Sequence, residues 1–335
     1  MKTVVLYFEG SEGNLFDPTV RDNCNDPFIC LKNKIDSLGY KTVVSKDADD
    51  LSSCAGVFFF NSPFRVSPNG ELLPNAFYDR CLAAGLQDKL GLLVWEGPSV
   101  KPENYAKGVF DKFRYIFTWR DEWVDNKKFF KFYLPITSTY PETKPLTFSE
   151  KKLLVNISRK SYSPHPDELY SEREKTIRYF GKHFPNDFDL FGFDWNRPEN
   201  RLERLFPFLI KKIPGYRGSV STKSDILPRY KFSLCYENIK DHPGYVTEKI
   251  FDSLRSGTVP IYWGAPDIAS YVDPEAFIDR RQFKTDKDLA DFILFVDETR
   301  YQKYTEASKR YLQSDAYKLF LPEHFSSTLV STLGL

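Results

Sequence analysis

No stretch of this chain approaches the roughly eighteen consecutive apolar residues that a membrane-spanning helix needs. The N-terminal run Met1-Lys2-Thr3-Val4-Val5-Leu6-Tyr7-Phe8-Glu9 is too short, and meets a charge too soon, to be a signal peptide. It reads as a first buried strand. Net charge is nearly absent as well: 47 Lys+Arg against 46 Asp+Glu leave a formal +1. This excludes a nucleic-acid binder driven by bulk positive charge, while a local basic patch stays open. The five cysteines (Cys24, Cys30, Cys54, Cys81, Cys235) are odd in number and lack paired zinc-site spacing, so free thiols in a reducing compartment are expected. His165, His183, His242 and His324 are scattered, and no metal ligand set is expected from them. His242 is expected to be solvated. No phosphate-binding P-loop, Ser-His-Asp constellation, internal repeat or low-complexity segment stands out. The sequon Asn156-Ile157-Ser158 closes an apparent strand and reads as accidental.

What is present is length and aromatic mass. At 335 residues the chain exceeds one compact core and suits two domains. Its 30 Phe, 20 Tyr and 5 Trp supply core material, and also the walls from which sugar and base sites are built.

The first half alternates strands and helices. Strands are expected at 2–8, 41–45, 56–60, 89–95, 113–118 and 129–134, with helices at 26–39 and 76–84. Runs such as Val57-Phe58-Phe59-Phe60 fit strands buried on both faces of a parallel sheet. Pro135, Pro141 and Pro145 with neighbouring Thr and Ser mark 136–149 as a linker. The rhythm then restarts: strands at 152–157, 187–193, 230–235, 259–263 and 276–279, helices at 172–182, 199–213, 248–255 and 286–312. The expectation is α/β, two doubly wound domains, 1–148 and 149–335, facing each other across a cleft. Ligands in such sheets sit beyond the carboxyl ends of the strands.

The segment richest in chemistry runs Tyr230-Lys231-Phe232-Ser233-Leu234-Cys235-Tyr236-Glu237-Asn238, then Gly244-Tyr245-Val246-Thr247-Glu248-Lys249-Ile250-Phe251, and ends Gly257-Thr258-Val259-Pro260-Ile261-Tyr262-Trp263-Gly264. It reads as strand, polar loop, short helix and second strand, with Thr247 as N-cap and Gly257 just past the helix end. A helix start offers backbone N–H groups to an anion. Lys249 in that first turn opposes the macrodipole, an unusual placement without an anion nearby. A diphosphate is the natural candidate, with Glu248 accepting from ribose hydroxyls and Tyr245 offering a ring and a hydroxyl. On spacing alone, a capped and solvated helix start competes with this reading.

This block resembles the signature of glycosyltransferase family 10, the α1,3/4-fucosyltransferases, and is most similar to bacterial-type members. About 40 consecutive residues carry the match. The resemblance implies the GT-B type, two Rossmann-like domains, the N-terminal one binding the acceptor and the C-terminal one GDP-fucose. It implies that Lys249 contacts the donor diphosphate, Glu248 the ribose, and that Tyr245 and Asn238 line the nucleotide-sugar site. Arg173, in Ser171-Glu172-Arg173-Glu174, matches the family's phosphate arginine, whose planar fork binds two oxygens at once. A surface arginine paired with a carboxylate is the alternative. Glu96, in Trp95-Glu96-Gly97-Pro98, matches the proposed general base; Trp95 stands where some bacterial members have Gly. A carboxylate capping a loop is the alternative there.

The resemblance therefore implies inverting transfer of L-fucose from GDP-fucose to a hydroxyl of an oligosaccharide, O3 of GlcNAc or glucose, in an α1,3 linkage. No cofactor is required on this reading, although Mn2+ or Mg2+ stimulates some relatives. Rival readings are another nucleotide sugar and a non-catalytic carbohydrate-binding relative. The expected partners are GDP-fucose and a glycan, with no nucleic acid. A soluble or peripheral cytoplasmic protein is expected, unless the chain is a truncated Golgi lumenal domain.

Overall fold

The computed structural model describes residues 1–10, 13–141, 146–198, 201–206, 208, 210 and 212–334. Two compact units form, and neither is continuous in sequence. Met1–Thr139, His242–Thr247 and Asp315–Leu335 make the first; Tyr140–Asp241 and Glu248–Ser314 make the second.

In the first unit, β1 (Thr3–Phe8), β2 (Lys41–Val44), β3 (Cys54–Phe60), β6 (Leu90–Leu93), β7 (Tyr115–Thr118) and β8 (Phe129–Lys131) form a parallel sheet in the order β2-β1-β3-β6-β7-β8. Between β3 and β6 lie the small antiparallel pair β4 (Phe64–Val66) and β5 (Leu72–Pro74), and then α2 (Ala76–Ala83). The apolar runs of β3 and β6 are buried, as strands covered on both faces require. Helix α1 (Asp26–Ser37) turns Phe28, Leu31 and Ile35 inward at helical spacing, with Pro27 in its first turn.

In the second unit, β9 (Lys152–Ile157), β10 (Phe188–Phe191), β11 (Tyr230–Tyr236), β12 (Val259–Trp263) and β13 (Ile278–Asp279) form a parallel sheet ordered β10-β9-β11-β12-β13. Its helices are α3 (Tyr170–His183), α4 (Arg201–Leu205), α5 (Glu248–Arg255), α6 (Asp286–Leu294) and α7 (Glu298–Leu312). The two sheets share one winding. In each, the first strand lies between the second and the third, so the strand order reverses between β1 and β3 and between β9 and β11.

Several expectations change. The helix expected over 286–312 is two helices. Thr285 and Asp288 form a capping box on α6, and Asp297 accepts from the Arg300 N–H to start α7 anew. The strand expected at 276–279 shortens to β13 behind a tight turn at Pro274–Ala276. Of the helix expected at 199–213, α4 is described; residues 199, 200, 207, 209 and 211 lie outside the described residues, as do 142–145 of the linker. No described helix is long and apolar enough to cross a membrane.

The largest correction concerns the boundary. The chain passes from one unit to the other at Thr139/Tyr140 rather than at 148/149, and from Asp315 it returns to the first unit as α8 (Asp315–Lys318) and α9 (Pro322–Leu333). The cause is apolar burial. Helix α9 lies on α1, and its Phe325 ring meets Trp95 edge-on with centroids 5.9 Å apart. Trp95 also packs with Phe8, Phe28, Phe60 and Phe132. Phe325→Ala should therefore destabilise the first unit by about 3–5 kcal/mol, read as an earlier urea transition followed by tryptophan fluorescence.

Candidate active site

The carboxyl ends of β9 and β11 flank the reversal in the second sheet, and the charged side chains of the motif collect there. At the end of β11, Glu237 N–H makes one more ladder bond, 2.8 Å to Trp263 O. The chain then turns and pairs with the residues ahead of α3: Leu169 N–H donates to Asn238 O at 3.1 Å, and Lys240 N–H to Asp167 O at 2.9 Å. This backbone clamp fixes the start of α3 against the strand end. One turn further along, Thr176 donates to Asp286 at 2.7 Å and meets the Tyr236 hydroxyl at 3.2 Å. The face of α3 carrying Arg173, Thr176, Ile177 and Phe180 is thereby turned inward.

Arg173 is only 4% exposed. It reaches Tyr236 O at 3.5 Å and Arg159 O at 3.3 Å, and its guanidinium lies 5.2 Å from the Tyr170 ring centre. Its Nε is buried with no hydrogen-bond partner, and among the described residues it makes no ion pair. Burial pulls its pKa down, with Tyr170, Glu237 and Glu168 opposing, yet an arginine stays charged. A buried guanidinium with one unsatisfied donor and no carboxylate partner is costly unless an anion completes it. The surface-arginine alternative is therefore set aside.

Lys249, in the first turn of α5, places Nζ 3.0 Å from Oε2 of Glu237, a residue with no exposure, and 4.0 Å from Glu248. Burial would lower the ammonium's pKa, but Glu237 and Glu248 outweigh it and the pKa is raised. Glu248 is about half exposed and also faces Lys223 at 3.6 Å; Lys223 in turn pairs with Asp252 at 2.7 Å. Arg173, Lys223 and Lys249 line a small crevice of about 40 Å³ together with Asn156, Ser158, Ser233 and Asp252. Gly257, at φ +65°, ends α5 in the left-handed conformation its position suggested.

The remaining residues singled out in the sequence lie as follows. Asn238 is half-buried, and its carbonyl serves the clamp. Tyr245 groups with the first unit. It is 1% exposed, and its ring centre lies 5.0 Å from that of Trp119. His242, expected to be solvated, meets the Arg120 guanidinium at 2.8 Å through Nδ1. Asn156 is buried, its amide donating to Leu234 O at 3.2 Å, so the sequon is inaccessible in the folded chain.

Glu96 follows β6 at the carboxyl end of the first sheet and is half-buried. Its backbone is held by residues that sequence reading passed over. Asn61, at φ +75° beyond β3, accepts from Glu96 N–H at 2.8 Å and from the Asn104 amide at 2.7 Å. Asn104 also donates to Glu96 O at 3.1 Å, and the Tyr105 hydroxyl does so at 3.0 Å. An Asn after the last apolar residue of a strand was the available signal, because Asn tolerates positive φ better than most residues.

The model of "Glycosyltransferase family 10 (fucosyltransferase) C-term" matches residues 171–325. Similar curated proteins include an α-(1,3)-fucosyltransferase FucT of Helicobacter pylori, 40% identical over 87 residues, which is 26% of this chain and 18% of that protein. An α-(1,4)-fucosyltransferase of Arabidopsis thaliana is 40% identical over 80 residues, 23% of this chain and 20% of that one. The chain thus spans about a fifth of the length of these relatives. A crystal structure of an α1,3-fucosyltransferase with GDP-fucose is similar at a TM-score of 0.57 and 17% identity, covering 100% of this chain and 90% of that chain. This likeness establishes the fold, two Rossmann-like units of the GT-B type. The matched segment contains Arg173, Asn238, Tyr245, Glu248 and Lys249; Glu96 lies outside it.

The network around Glu96 makes a direct test. Asn61→Ala leaves the Glu96 N–H and the Asn104 amide without their shared acceptor and should cost about 1–3 kcal/mol in urea unfolding. Asn61→Asp keeps an acceptor and should lose less.

Proposed function

We propose that the chain is an inverting fucosyltransferase that moves L-fucose from GDP-fucose to an oligosaccharide hydroxyl, O3 of GlcNAc or glucose, making an α1,3 linkage. The observation that carries this reading is Arg173, buried, charged and without an ion-pair partner among the described residues, beside Lys249 where the second sheet reverses its strand order. Two neighbouring cations at such a crevice suit a nucleoside diphosphate.

On this reading Arg173 and Lys249 hold the diphosphate, Glu248 accepts from the ribose hydroxyls, and Asn238 and Tyr245 border the nucleotide sugar. The acceptor oxygen attacks C1 of the β-linked fucose from the face opposite the diphosphate. As the new C–O bond forms, the old one breaks and its electron pair leaves with GDP. The acceptor proton passes to Glu96, and the product is α-linked. Negative charge grows on GDP along this path, so the two cations stabilise the transition state more than the bound donor, which is the condition for raising the rate. The reading assigns this charge neutralisation to Arg173 and Lys249 and needs no fixed metal.

Isothermal calorimetry with GDP and UDP, followed by a transfer assay on an acceptor array and product NMR, tests it. GDP should bind more tightly than UDP, and the product should be α-linked. Arg173→Ala and Lys249→Ala should each lower kcat/KM by about a hundredfold, in line with loss of a charged hydrogen bond to the diphosphate. Unchanged turnover in both variants would remove the donor-site assignment.

Glu96→Gln should retain GDP affinity and lose about 10²–10⁴ in kcat, the share a general base commonly supplies. Near-normal transfer at saturating substrate would mean that another group takes the proton.

A further inference from the structure

One charged group at this site has no place in the scheme above. Glu237 is wholly buried at the end of β11, its carboxylate 3.0 Å from Lys249 Nζ. Its field also reaches Arg173, whose charge it helps to sustain against burial. A buried carboxylate is expensive, and one next to a diphosphate site repels the ligand it adjoins. Its position is nevertheless enforced by the fold. Across the neighbouring strand end stands Gly264, where a Cβ would lie 2.4 Å from Glu237 Cγ, 2.9 Å from Glu237 Cβ and 2.6 Å from the Tyr262 hydroxyl oxygen. Any side chain at 264 would displace the carboxylate or the tyrosine.

We infer that Glu237 is a positioning residue, the buried counter-charge that keeps Lys249 protonated and aimed at the donor phosphates, and that Gly264 is the gap in which it fits. This inference rests on the donor site proposed above and adds a residue to it. The physics has a definite sign. Without Glu237, burial acts on the ammonium with its largest opposing charge removed, so Lys249 loses its proton at lower pH. A carboxylate within 4 Å is worth about one unit or more in such a shift. The groups facing Lys249 are Glu237, Glu248 and Arg173, with Lys223 reaching it through Glu248.

The experiment is GDP affinity by calorimetry, with kcat and KM for GDP-fucose, from pH 6 to 10 for the full chain. Wild-type affinity should fall only on the far alkaline side. In Glu237→Gln, which keeps the shape of the side chain, that fall should begin about one unit or more lower. At pH 6, where Lys249 stays charged in both proteins, the variant should bind GDP within severalfold of wild type, because loss of a lysine contact and loss of a repulsive carboxylate oppose each other. Its kcat should be reduced at every pH, since the lysine is no longer held. Glu237→Asp should restore part of the alkaline range, and Gly264→Ala should reproduce the alkaline shift with residue 237 intact. An alkaline limb unchanged in both Glu237→Gln and Gly264→Ala, with GDP still bound, would overturn the positioning role alone. Absence of GDP binding by the wild-type chain would overturn the donor site itself and the inference with it.

Discussion

The second unit is organised around charge that the protein carries but does not neutralise. Arg173 sits on the inward face of α3 with a buried Nε lacking a partner among the described residues, and such a group is held in place because its surroundings are rigid. The backbone clamp between 167–169 and 238–240, the Thr176–Asp286 bond and the Tyr236 hydroxyl together leave α3 little freedom to turn the arginine toward solvent. Stability forgone here is of the kind expected where binding takes place, and on the proposed reading the donor diphosphate would recover it.

The two cations reach similar electrostatic ends by different means. Arg173 needs no local carboxylate to stay charged, because guanidinium retains its proton even when buried. Lys249 does need one, because burial alone drives an ammonium toward neutrality. The division fits Glu237 lying in direct contact with the lysine, while the arginine's close contacts are two carbonyls and a tyrosine ring, with Glu237 and Glu168 acting on it from farther off. On the first unit the same economy holds around Glu96. A small amide network fixes its main chain, and the side chain is left half-buried.

Most strands were legible because their apolar runs are continuous, as in Val57–Phe60 and Leu90–Leu93, and because parallel sheets bury both faces. The strand–loop–helix around Lys249 was legible from residue type and from Gly257 at its end. What escaped were relations between distant segments. Nothing local in Pro322–Leu333 says that its apolar face belongs on α1, since the periodicity of a helix marks a buried side without naming what covers it. The packing of the Tyr245 ring on Trp119 is likewise a contact between distant segments that adjacency to Glu248 does not announce. Glu237 stood inside the motif, but its importance depends on burial and on the missing side chain at 264, and neither can be read from the residue alone.

The return of the chain to its starting unit has a practical consequence. A fragment ending at residue 148 would strip α1 and Trp95 of the cover that α9 provides, baring Phe28 and its aromatic neighbours to water. The complementary piece would drag along a helix whose Phe325, Leu329 and Val330 have lost their shelter. Both halves would be sticky. Complementation by co-expressed pieces would have to graft the last twenty-odd residues onto the N-terminal piece by a short linker, as gene shuffling within this architecture must also do.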